Sequence, residues 1–470
     1  MLTVSPSFRP SLDPDFLPAA LWNRAYRERV TAARDARSLS LALSRPDGTT
    51  FTYETRVLSA DDAQSPLTLR YVERLLKFLL WQKGASRVRI TGAPEIAAQL
   101  ASIYSPTGSR GFDHAFMGEK VYGEPFTVGI ASPSDTPPKP DRSLAVGRHL
   151  EGCRIGFDLG GSDRKAAAVI DGRVVFSEEI SWDPYFQQDP AYHLEGVHDS
   201  LRRAAAHLPR VDAIGGSAAG IYVDNEVRVA SLFRGVPPDK FDQHIRRMFF
   251  TLQQRWGGVP FEVANDGEVT ALAGSMALGA NAVLGVSMGT SMAGGYVTPT
   301  GNITSWLNEL AFVPVDYREN APRDEWSGDA GCGVQYFSQQ GVARLATAAG
   351  FAFESAMPLA DRLTSVQEAM QAGDPRAVAI YESIGVCFGY AVAHFADFYE
   401  IGPLLVLGRV TTGPGGDVLL EHARKVLAAD FPELARRIQL RLPDEKDRRH
   451  GQAVAAASLP ALPHHLSKNP

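Results

Sequence analysis

Four segments of the chain break at the end of apolar runs: Asp158-Leu-Gly-Gly-Ser162, Asn265-Asp266-Gly-Glu268, Gly289-Thr-Ser-Met-Ala-Gly-Gly295 and Leu407-Gly-Arg-Val-Thr-Thr-Gly413. Open α/β sheets place their ligand loops at such strand ends. The residue types suit phosphoryl transfer, which needs groups that hold and neutralise a polyphosphate, a divalent cation, and a base that orients the acceptor hydroxyl.

Asp158 precedes a glycine pair, so the backbone of Gly160 and Gly161 could approach a phosphate, Ser162 could donate a hydrogen bond, and Asp158 could hold Mg2+ through water. An ordinary tight hairpin explains the same residues. The loop Gly289, Thr290, Ser291 to Gly294 and Gly295 offers two hydroxyls and several N–H groups to phosphate oxygens. Asp266 is the candidate base, kept anionic by the helix that follows it, although Asn265 or Asp266 could equally be a helix cap.

The chain has 470 residues, 44% of them hydrophobic, enough for more than one core. Its 47 basic and 53 acidic residues give a net charge of -6, with the basic residues scattered, which disfavours nucleic acid as the main partner. Three well-separated cysteines, Cys153, Cys332 and Cys387, suit a reducing, cytoplasmic setting. Neither a signal sequence nor an uninterrupted membrane-length apolar run is evident.

The elements that must position these loops fall into segments. Residues 1–140 are expected to form a small α/β domain, with strands at 51–58 and 87–91, an amphipathic helix at 69–82 and a second helix at 94–104. Four prolines in residues 131–141 then read as a linker or surface crossing. A first lobe over 153–280 opens with a β-hairpin around Gly160 and Gly161, which argues against a dinucleotide-binding unit, where a helix follows the glycines. It continues with helices near 192–208 and 240–255, strands at 213–220 and 260–265, and a helix at 268–280. A second lobe over 281–457 repeats the strand, glycine turn, strand device, and 458–470 forms a tail. The repetition suggests two α/β lobes facing each other across a cleft.

These motifs, in this order from Cys153 to Ala457, resemble the ROK group of sugar kinases and repressors within the actin-like ATPase superfamily. The family's first phosphate motif matches Asp158 to Ser162, with serine in place of threonine. Its asparagine-aspartate pair, which carries the catalytic base, matches Asn265-Asp266, and its second phosphate loop matches Gly289 to Gly295. Its adenosine motif matches Leu407-Gly408, with Arg409 where another glycine is more usual. The resemblance implies a two-lobed actin-like fold preceded by an atypical front domain. It further implies ATP and Mg2+ as cofactors and a small carbohydrate-like acceptor held by Asn265, Asp266 and Glu309. A homodimer remains compatible with it.

The departures bear on the acceptor. Family kinases carry a histidine and a cysteine cluster that bind structural zinc. Here Phe312 replaces the histidine, Cys332 lacks thiol partners, and Val334 stands where relatives have a sugar-contacting glutamate. No structural zinc is expected. Losing two polar partners disfavours glucose and leaves a polyol, a cyclitol or an altered sugar. Glu309 is either an acceptor ligand or a loop acid. The front segment lacks a trihelical pattern with a basic recognition helix, so DNA binding is not expected. A catalytically inactive ligand-binding protein is the rival reading.

Overall fold

The computed structural model describes residues 2–63, 65–131, 139–140, 146–442 and 448–463. The chain forms two compact units: Met1–Arg142 with Val286–Gly294 and Trp306–Leu442, and Ser143–Gly285 with Gly295–Ser305 and Pro443–Pro470. This redraws the boundaries expected at 140, 280 and 457. The front segment shares a unit with most of the expected second lobe, and the last helix belongs with the first. Of the proline-rich crossing, 132–138 and 141 lie outside the described residues.

In the first unit, β1 (Arg37–Ser44), β2 (Thr49–Val57), β3 (Arg87–Thr91), β4 (Thr127–Ile130) and β5 (Lys139–Pro140) form a sheet in the order β4-β3-β1-β2-β5. The α/β character expected of this segment is present. Helix α1 (Ala19–Ala32) and strand β1 add to the elements expected from the sequence, and α2 (Pro66–Lys83) and α3 (Pro94–Ile103) lie where helices were expected. The amphipathic reading of α2 fails, because every residue from Tyr71 to Lys83 is buried. Its faces are covered from different directions: Tyr71 stacks on Tyr26 at 4.4 Å, Phe78 on Phe398 at 3.7 Å and Trp81 on Phe312 at 4.2 Å. A helix covered all round carries buried charges only if they are paired. Lys77 accordingly meets Asp113 and Asp329, while Arg74 and Arg110 both pair with Glu73 and Asp329.

The second unit is built on β6 (Cys153–Leu159), β7 (Asp163–Ile170), β8 (Arg173–Ser181), β9 (Ala213–Ala218) and β12 (Phe261–Asn265), in the order β12-β9-β6-β7-β8. The β6–β7 hairpin is antiparallel as its glycine turn requires, whereas β9 runs parallel to both β6 and β12. Between them, β10 (Ile221–Val223) and β11 (Glu226–Val229) make a hairpin through Asp224-Asn225, both at positive φ, as a two-residue type I′ turn demands. The helix expected over 240–255 is interrupted. A five-residue-spaced bond from Arg246 N–H to the Phe241 carbonyl divides it, and regular helix resumes only at Met248–Arg255. Phe157, Leu201, Phe249 and Phe261 are central to this unit's core.

The helix Arg448–Ala457 packs directly on β6 and β9. Gly156 and Gly215 permit this, since a Cβ at either would run into the helix carbonyls of Ala453 or Ala456. Buried Arg154 then donates to the carbonyls of Ala457 and Pro460, satisfying the helix end.

The remaining strands, β13 (Val283–Met288), β14 (Met292–Val297), β15 (Pro403–Leu407) and β16 (Gln439–Arg441), are ordered β14-β13-β15-β16. The chain changes unit within the β13–β14 hairpin. The helix Pro375–Phe395 is long and apolar enough to cross a bilayer, but most of it is buried inside its own unit.

Candidate active site

In the second unit the carboxyl ends of three neighbouring parallel strands converge. Register places Asp158 of β6 beside Ser217 of β9, and Ala218 beside Asn265 of β12. Asp158 Oδ1 accepts from Ser217 Oγ at 2.6 Å and from Gln452 Nε2 at 3.3 Å; Oδ2 has no donor among the described residues. Burial pushes the Asp158 carboxyl up to about 6, with the Ser217 bond opposing and Asp266 adding like-charge repulsion.

The β6–β7 turn is braced on its carbonyl side. Trp182 gives its indole N–H to the Gly160 carbonyl at 2.8 Å and its backbone N–H to that of Ser162 at 3.0 Å. The N–H groups of Gly161 and Ser162 have no partner among the described residues. Gly161 is glycine for a second reason, since a Cβ there would collide with the Tyr185 hydroxyl. Ser162 Oγ donates to Asp163 at 2.8 Å.

Asn265 is the helix cap. Its Oδ1 accepts from Gly267 N–H at 2.8 Å and its Nδ2 donates to the Gly220 carbonyl at 2.8 Å, so one N–H and one lone pair of the amide serve the cap. Asp266 opens the helix Asp266–Leu278 with Oδ1 on Gly267 N–H at 3.0 Å. The helix N–H groups favour the Asp266 anion, as the helix start leads one to expect, and burial opposes them. Burial outweighs the N–H bonds and raises its carboxyl above the usual range. The adjoining Tyr222 phenol is raised by burial and by the Asp266 charge.

The first unit holds the other candidate groups except Gly295, which belongs to the second. Thr290 and Ser291 are exposed at the β13–β14 turn, which is closed by Gly289 N–H on the Ser291 carbonyl and by Gln339 N–H on Gly289. Gly294 and Gly295 depart from the expected phosphate loop. Both are buried inside β14, where a Cβ would strike the Asn308 carbonyl and Leu310 in one case and the Gly267 carbonyl in the other. Gly408, at φ +95°, lies against the Met288 backbone, bringing the end of β15 beside the 289–291 turn. Arg409 is exposed, and its carbonyl accepts from Gln367 at 2.7 Å.

Glu309 is half-buried and docked on the front segment. The last turn of a helix leaves carbonyls unsatisfied, and those of Trp81 and Gln82 accept the N–H groups of Glu309 and Asn308, each at 3.0 Å. Phe312 is enclosed by aromatic rings, with Trp81 at 4.2 Å and Trp326 at 5.5 Å. Cys332 is fully buried beside Asp329, and burial pushes its thiol well up. Val334 is buried too.

Ser217, Gln452 and Tyr222 escape sequence reasoning. Ser217 ends an apolar strand and could have been noticed, whereas Gln452 comes from a helix far along the chain and carries no local signal.

No family model and no curated protein matches the chain. Among solved structures, a ROK hexokinase from Thermus thermophilus matches at TM-score 0.51 and 21% identity, over 65% of this chain and 96% of that one. A ROK family transcriptional regulator, a homologue of the E. coli MLC protein, matches at 0.50 and 19%, over 72% of this chain and 81% of that one. The fold is that of the ROK proteins. The architecture is mixed α/β, with the five-stranded sheet β4-β3-β1-β2-β5 among its sheets.

Proposed function

We propose that the protein is a divergent ROK kinase that transfers the γ-phosphoryl of ATP to a hydroxyl of a small sugar, polyol or cyclitol. The observation that carries this is the carboxylate pair Asp158 and Asp266 at the carboxyl ends of β6 and β12, the two strands that flank β9, each with one oxygen held by the protein. Asp266, whose carboxyl burial raises and so makes more basic, is suited to take the acceptor proton. The free Oδ2 of Asp158 suits Mg2+, directly or through water, and the unpartnered N–H groups of Gly161 and Ser162 suit phosphate oxygens. Thr290 and Ser291 offer hydroxyls of the same kind. When bound, Mg2+ would neutralise charge on the phosphates. Glu309 is the proposed acceptor ligand, held in place by α2. The buried free thiols fit a cytoplasmic setting.

Incubating the full chain with labelled ATP, Mg2+ and a panel of hexoses, amino sugars, polyols and cyclitols tests the reading. Asp266→Asn should keep nucleotide affinity and lower transfer by about 10²–10⁴-fold. A second reading, ligand binding without turnover, is favoured by the likeness to a ROK transcriptional regulator. A panel without product, together with ligand binding indifferent to Asp266→Asn, would establish that reading instead.

A further inference from the structure

A cleft of about 350 Å³ lies within the unit that carries Glu309. Its lining includes Arg70 and Arg74 of α2, Ser109 and Arg110 from the following loops, and Arg318 and Arg323. Most acidic groups around it are already committed. The Glu73 oxygens receive Arg74 and Arg110, those of Asp329 receive Lys77, Arg74 and Arg110, and those of Asp316 receive Tyr336 and the backbone of Leu17 and Arg318. Glu319, exposed, makes no hydrogen bond or ion pair among the described residues, and its charge is felt by Arg70.

The donors are in surplus. Arg70 is half-buried over the Trp22 ring at 5.5 Å and makes no hydrogen bond or ion pair among the described residues. Arg323 gives one N–H to the Gly328 carbonyl at 2.9 Å, leaving the rest of its fork, and the Ser109 hydroxyl has no partner among the described residues. Unpaired guanidinium groups in a cleft of small-molecule size call for an acceptor-rich ligand. The donors come from separate segments, α2, the loop before Gly111 and the loop before Asp324. That arrangement matches the three terminal oxygens of a phosphomonoester better than the two oxygens of one carboxylate.

We propose that this cleft binds the phosphate head of a small phosphorylated metabolite, with Arg70, Arg323 and Ser109 as its ligands. The proposal is independent of catalysis at Asp266. Calorimetric titration of the full chain with inorganic phosphate, glycerol 3-phosphate and malate tests it, each with and without saturating magnesium and AMPPNP to occupy the nucleotide loops. Phosphate and glycerol 3-phosphate should bind under both conditions. Arg70→Gln and Arg323→Gln should each weaken binding about tenfold or more, the scale of a lost charge-assisted hydrogen bond. Circular dichroism establishes that the variants are folded, and exposed Arg323 serves if Arg70→Gln is not. Absence of binding at millimolar phosphate, affinity unchanged in both variants, or displacement by AMPPNP would overturn the assignment. Malate binding as tightly as glycerol 3-phosphate would overturn the phosphate class.

Discussion

Replacing Lys77 with methionine should destabilise the protein by about 3 kcal/mol, the lower end of the roughly 3–5 kcal/mol expected for breaking a buried ion pair. The Lys77 side chain is fully buried, with Nζ at 2.9 and 3.0 Å from the Asp113 oxygens and 3.1 Å from Asp329. Burial pulls its ammonium down, but Asp113 and Asp329 more than restore it, so it stays charged. Without Lys77, Asp329 keeps Arg74 and Arg110, and among the described residues Asp113 keeps only the Trp81 indole N–H at 2.6 Å. Burial already pushes the Asp113 carboxyl up, so it can escape an uncompensated charge by taking a proton, which limits the loss. Pairing Lys77→Met with Asp113→Asn keeps the Trp81 acceptor and removes the orphaned charge. Urea unfolding of the double variant should therefore lie within about 1 kcal/mol of wild type. A single variant costing under about 1 kcal/mol, or a double variant worse than the single, would refute the account of this network.

Three further outcomes are expected. Gly294→Val should lower the unfolding midpoint sharply through its clash with Asn308 and Leu310, whereas Thr290→Val with Ser291→Ala should leave the midpoint unchanged and weaken ATP binding in calorimetry. Elemental analysis after dialysis should find no stoichiometric zinc, since Phe312 and Cys332 are committed to packing. His394, held down to about 3 first by burial and then by Arg27, takes a proton in the unfolded chain near 6.5 but not in the folded one. Its stability contribution is complete above 6.5 and lost as pH falls toward 3, at about 1.4 kcal/mol per unit, a slope that His394→Leu should remove from acid-unfolding curves.

The β6–β7 hairpin and the Asn265-Asp266 strand-to-helix junction were legible because turn chemistry and apolar runs are local signals. The burial of α2 was not. Its lysine and arginines look like a solvated face until Asp113 and Asp329 arrive from elsewhere in the chain. Phe312 was read as the loss of a metal ligand, while its gain, a stacking partner in Trp81, belongs to another segment. Gly294 and Gly295 show the converse limit: a glycine that admits a phosphate and one that admits a neighbouring strand look alike in sequence. Asp266 was placed correctly as a helix start, but the balance between burial and N–H bonds depends on packing that spacing does not encode.

The seating of Asn308 and Glu309 on the end of α2 also sets an order of assembly. The carbonyls of Trp81 and Gln82 leave the ribosome about 230 residues before the loop they hold, a wait on the order of ten to forty seconds at roughly 5–20 residues per second. Until then the helix end and its apolar neighbours stay uncovered, and the loop cannot settle by local contacts alone. The front segment thus acts as a template made ahead of the part it shapes. Synthesis of the two as separate chains, mixed after folding, would have to rebuild that seat between surfaces that had already lost their chance to form it together.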